Sequence, residues 1–105
     1  MSFTRIAIKK VKFNATLIGS IDNLDVVIQG KLTPSQDFVV AYDQNMSSTK
    51  LAVIFQISGF NGTGFTIQYS CTSAGKIKID PLYPSGIIGT VASNGYIAIS
   101  LNILV

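Results

Sequence analysis

Apolar side chains recur at every second residue along most of this 105-residue chain. A period of two puts alternate side chains on opposite faces of an extended strand, whereas a helix needs a period near 3.6. No segment shows the helical period. Turn residues break the alternation at short intervals, so the sequence reads as a series of short antiparallel strands.

The first strand is expected over residues 4–13. Ile6 and Ile8 share one parity, while Val11 and Phe13 share the other. A β-bulge near Lys9-Lys10 would bring all four to one side. Residues 15–18 form a second segment, and 19–23 a turn. Leu24, Val26 and Ile28 mark a third strand, followed by a loop over 30–36. Phe38, Val40 and Tyr42 mark a fourth, and the polar stretch 43–49 reads as the longest loop. Leu51, Val53, Phe55 and Ile57 give one face of a fifth strand; Phe65, Ile67, Tyr69 and Cys71 give one face of a sixth. Between them, Asn61-Gly62 supplies the positive φ of a tight hairpin turn. Residues 76–80, 87–92 and 96–105 complete the set, with 81–86 a loop. Eight or nine such strands predict an all-β fold, an antiparallel β-sandwich of jelly-roll-like texture, forming one domain over 1–105.

Composition limits the chemistry. Hydrophobic residues make up 48% and charged residues only 12%. That excludes a disordered chain, which combines low hydrophobicity with high charge. There is no His, Glu or Trp, and the acidic residues are five aspartates. General acid–base catalysis at neutral pH runs mostly on His or a tuned Glu, so no enzyme is expected. Cys71, the only cysteine, has no His to act as its base and has the parity of a core residue. An aspartate pair acting on a glycosidic bond, or Ser-Lys chemistry, lacks a supporting motif.

Asp22, Asp25 and Asp43 are weak candidates for oxygen ligands to Ca²⁺, with Asp37 an alternative to Asp43. Their spacing matches no EF-hand, so neither a metal nor any other cofactor is expected. Net charge is +3. Six of the eight basic residues fall on two expected strands, Arg5, Lys9, Lys10 and Lys12 on the first and Lys76 and Lys78 on the seventh. They form a candidate anion patch, or else guard edge strands against aggregation. No aromatic residue shares their outward face, so nucleic acid is not the expected partner. Phe60 and Tyr83, both in loops, are candidate ligand-binding aromatics. Asn14, Asn45 and Asn61 begin glycosylation sequons, which matter only on a eukaryotic secretory route.

Residues 96–105 alternate without a break to the last residue. Such a strand is either core or a subunit contact through Leu101, Ile103, Leu104 and Val105. Leu104, with Ile54 on the otherwise polar parity of the fifth strand, hints at a second covered surface. No run reaches the length of a membrane helix, and the opening residues do not read as a signal peptide. The compartment stays open, though the hydroxyl-rich, sparsely charged composition suits an extracellular or assembled particle. The expected function is a non-catalytic structural subunit that self-associates into a homo-oligomeric ring, filament or shell. The alternative is a carbohydrate-binding or adhesive module using Phe60, Tyr83 and the 43–49 stretch at one loop end.

Overall fold

The computed structural model describes residues 8–105. Eight strands follow in chain order: β1 (Lys9–Gly19), β2 (Asn23–Ile28), β3 (Lys31–Pro34), β4 (Val39–Met46), β5 (Lys50–Ser58), β6 (Gly64–Thr72), β7 (Ile87–Thr90) and β8 (Tyr96–Leu104). They make two antiparallel sheets of four, ordered β4-β1-β6-β7 and β3-β2-β5-β8. The chain crosses between sheets after β1, β3, β4, β5 and β7. Each sheet turns one face inward, and the two faces interleave as a β-sandwich.

The predicted parity generates the core. Odd residues of β1, β5, β6 and β8 and even residues of β2 and β4 point inward. Val11, Phe13, Val26, Leu51, Phe55, Ile57, Ile67, Leu101 and Ile103 are fully buried. Every buried residue is apolar among the described residues. Phe13 on β1 meets Phe55 on β5 across the sandwich, with ring centroids 6.5 Å apart, and stacks on Tyr69 of β6 at 6.1 Å. These contacts join the two sheets through the middle strands of both.

Residues 43–46, expected in a loop, extend β4, and the Asn61-Gly62 turn carries the chain between the two sheets instead of closing a hairpin. Three further features differ from the sequence reading. First, β1 runs unbroken through both expected segments, paired in continuous register with β4 from Lys9↔Met46 to Thr16↔Val39. There is no bulge at Lys9-Lys10; Ile8 keeps its parity and stands on the outer face, 71% exposed, while Ile6 lies outside the described residues. The lysines tolerate this because their outward partners on β4 are polar, Asn45 for Lys10 and Asp43 for Lys12. Second, part of the expected 30–36 loop forms β3, hairpin-paired to β2 through Gln29 and Gly30, both at positive φ. Third, the expected strand at 76–80 is reduced to one bridge, Lys78↔Leu104, within an irregular connection over 73–86. That connection carries two prolines and leaves Ile79 exposed, so it covers the side of the sandwich without extending a sheet.

On β7, the ring of Phe65 packs directly over Gly89, its partner in register. A Cβ at Gly89 would stand 2.8 Å from the Phe65 ring, so the aromatic fills the place of a side chain.

Replacing Phe13 by Ala should remove both ring contacts and leave a cavity between the sheets. Urea unfolding should show a loss of about 3–5 kcal/mol. A loss under about 1 kcal/mol would mean that the sheets are not held together here.

Candidate interaction surface

The C-terminal strand is both core and edge. Leu101 and Ile103 are fully buried, and Val105 nearly so, in the chain's own sandwich. They are therefore occupied within this chain, and only Leu104 of the four expected contact residues stays open, at 46%. Yet β8 pairs only with β5 along its length, so its far side is a sheet edge. Leu104 exchanges both backbone hydrogen bonds with Lys78 on that side, and the Asn102 N–H donates to Asp80 Oδ2 at 3.3 Å. The same phase sends the N–H and C=O groups of Ala98 and Ser100 outward, with no partner among the described residues.

The other edges are better guarded. β3 and β7 are four residues each, with Pro34 on β3 and Gly89 on β7. β4 carries Asp43 outward. β8 has no charge, proline or glycine in nine residues, and only its C-terminal part is covered, by the 78–80 segment, so the edge at Ala98 and Ser100 has none of the usual protections. On the outer face beside it, Leu32, Val27, Ile54 and Ser100 lie in register across the sheet. This is an apolar strip ending at the open edge. The sequence signal for that edge is the absence of charge from 96 to 105.

The lysines gather at one end of the sandwich. Lys10 and Lys12 open β1, beside the end of β4. Lys50 opens β5 opposite Leu104, which bridges Lys78. Lys31 opens β3 beside Gln29, whose side-chain amide bonds the Lys50 carbonyl and the Ala52 N–H. Lys76 lies four residues beyond the end of β6. Lys9 stands apart from the outward set: its half-buried stem points inward, and its ammonium donates to the Val105 main-chain oxygen at 2.6 Å. The Val105 N–H in turn donates to the Thr49 carbonyl. Arg5 lies outside the described residues. Sequence reading grouped the patch by strand and missed Lys31 and Lys50, which only the topology brings to this end.

The aspartates divide. Asp22 and Asp25 sit at the opposite end, Asp22 donating its N–H to the Ser58 carbonyl and Asp25 accepting from Asn23 Nδ2 at 3.1 Å. Asp37 is also there, at φ 52° beside Phe38, whose carbonyl accepts from the Leu17 N–H. Asp43 is at the lysine end, 3.7 Å from the Lys10 ammonium. Asp22 and Asp25 therefore do not meet Asp43, and no group of three potential metal ligands forms among the described residues.

The expected loop-end ligand site is not assembled. Phe60 opens the tight turn of the 59–63 crossover between β5 and β6, 80% exposed, at the aspartate end. Residues 43–46 belong to β4 and lie at the other end. Tyr83 is half-buried against the core, and its carbonyl accepts from the Tyr69 hydroxyl. A groove of about 460 Å³ runs between the β2–β3 hairpin and β4, lined by Leu32, Tyr42 and Asn45 among others. Asn14 and Asn45 are exposed on the outer face of the β4-β1-β6-β7 sheet, and Asn61 is exposed in the 59–63 turn. No helix among the described residues is long and apolar enough to cross a membrane.

Cys71 is half-buried on the inner face of β6, and burial raises its thiol above the usual range. Burial likewise raises Tyr42 and, with a smaller push from the Asp80 carboxylate, Tyr69. A group whose folded-state pKa is raised holds its proton more tightly when folded. Its contribution is complete below the unfolded pKa and is lost as pH climbs through the folded value. Unfolding midpoints should therefore decline above pH about 8.5, the ordinary thiol value, and further above about 10, the ordinary phenol value. Cys71→Ser should flatten only the first part. A midpoint rising through this range would contradict the burial of these groups. No protein-family model matches the chain, and no curated protein or solved structure matches it either.

Proposed function

We propose that this protein is a non-catalytic structural subunit that works by self-association. The observation that carries this reading is the unprotected outer edge of β8. This strand of nine uncharged residues presents the free amide and carbonyl groups of Ala98 and Ser100 beside an apolar strip. A second copy pairing antiparallel along this edge would satisfy those groups and extend one sheet across both copies. The strip through Leu32, Val27 and Ile54 would then continue onto the neighbour.

Ser100→Pro tests this with little cost to the fold. The Ser100 N–H faces the open edge, so a proline there removes no internal hydrogen bond and blocks a partner strand. Light scattering after size exclusion should show the wild-type assembly reduced at least tenfold in association constant. Urea stability should move by less than about 1 kcal/mol. Ala98→Lys should act in the same direction. A wild-type chain that stays monomeric at millimolar concentration, or an assembly indifferent to both variants, would overturn the reading.

A further inference from the structure

An edge pair between two β8 strands is isologous and closes at two copies. A ring or filament needs a second, heterologous contact, and the two ends of the sandwich have the properties of one. We infer that copies of this chain stack head to tail, the aspartate end of one carrying Phe60 into the lysine end of the next. The inference rests on the self-association reading for the existence of an assembly.

The charges are segregated along the strands. All seven described lysines lie at one end, while Asp22, Asp25 and Asp37 lie at the other with no lysine among the described residues. The two acidic groups at the lysine end are already engaged. Asp43 pairs with Lys10, and the carboxylate of Asp80 accepts N–H groups from Leu82 and Asn102. Lys12, Lys31, Lys50, Lys76 and Lys78 have no carboxylate partner among the described residues. The ends are separated by the length of β5, nine residues, or roughly 30 Å. That is several screening lengths at physiological salt, so each end presents its own sign to a neighbour.

Shape supports the same contact. Phe60 projects from the 59–63 turn as an almost fully exposed aromatic, the residue type that anchors interfaces when a pocket receives it. A groove of about 310 Å³ opens beside the lysine end, between residues 78–81 and the end of β8. Ile79, Pro81 and Leu104 line it together with Lys78, Asp80 and Asn102. An aromatic ring seated there would cover three exposed apolar groups and lie beside an ammonium, a favourable arrangement for the ring face. Asp22 and Asp25, near the same turn, would then approach Lys50 and Lys78.

Charge reversal with complementation tests the pairing. One variant carries Asp22→Lys and Asp25→Lys; the other carries Lys50→Glu and Lys78→Glu. Asp22, Lys50 and Lys78 are exposed and Asp25 is half-buried, and urea midpoints check that both variants fold. At low salt the wild-type chain should form assemblies larger than a dimer that shrink to the edge-paired dimer near 0.5 M salt, where screening falls to a few Å. Each reversed variant alone should stop at the dimer. An equimolar mixture should recover the large assembly, because each reversed end meets its complement. Phe60→Ser should lower the larger assembly at least tenfold without changing the fold. Reversed variants that assemble like wild type, or a mixture that does not recover, would overturn the inference. A wild-type dimer at every salt, abolished by Ser100→Pro, would leave the edge reading standing and remove this one. A wild-type monomer at every salt would remove both. Retention of that dimer or monomer on a sulfated polyanion column, lost in the Lys50→Glu, Lys78→Glu variant, would assign the lysine end to a polyanion instead.

Discussion

The contact between Phe13 and Phe55 is the constraint on which the rest of this sandwich depends. Each ring comes from a middle strand of its sheet, so their packing sets the distance between sheets and the face each strand turns inward. Once Phe13 is inward, the odd residues of β1 follow, and Lys10, Lys12 and Ile8 must be outward. Once Phe55 is inward, so are Leu51, Val53 and Ile57, and pairing in register then fixes β8 and β2. A slip of one residue in any strand would put its lysines, serines or asparagines into a wholly apolar core. That penalty, more than any single hydrogen bond, explains why the pattern of alternation alone is enough to specify the fold class.

Most of the strands were legible because parity is a local property. The inward faces of β2, β4, β5, β6 and β8 follow directly from spacing, and so does the tight turn at Asn61-Gly62, although that turn carries the chain from one sheet to the other and does not close a hairpin. What escaped depended on partners. Ile6 and Ile8 suggested a bulge because an exposed isoleucine looks improbable until its strand is seen to continue straight along β4. Residues 31–34 lacked alternation but gained a hairpin partner in β2. Residues 76–80 had the alternation but no free sheet beside them except the end of β8, where one bridge formed.

The surface was less legible than the core, for a related reason. Sequence proximity grouped the lysines by strand, but their common location depends on the direction in which each strand runs. Lys31 and Lys50 open strands of the other sheet and share an end with Lys10 only because the chain crosses the sandwich between them. The same topology separated Phe60 from residues 43–46 and dissolved a single loop-end ligand site. Leu101, Ile103 and Val105 carried a correct signal of burial but not its cause, since burial in the chain's own core and burial against a neighbour leave the same alternation.

The two contacts proposed here act along independent directions. Pairing at β8 would grow an assembly across the strands, through hydrogen bonds that salt hardly touches. Docking of the ends would grow it along the strands, through charges that salt screens. The edge contact joins equals and stops; the end contact joins unlike surfaces and does not stop unless a ring closes. A chain carrying both would form double rows, each β8 edge consumed in the pair and each lysine end covered by the next 59–63 turn. The strand with no charge to protect it and the end with an excess of charge would then be the two halves of one design. In such an assembly the edge would be plain because a copy covers it, and the lysines concentrated because a copy neutralises them.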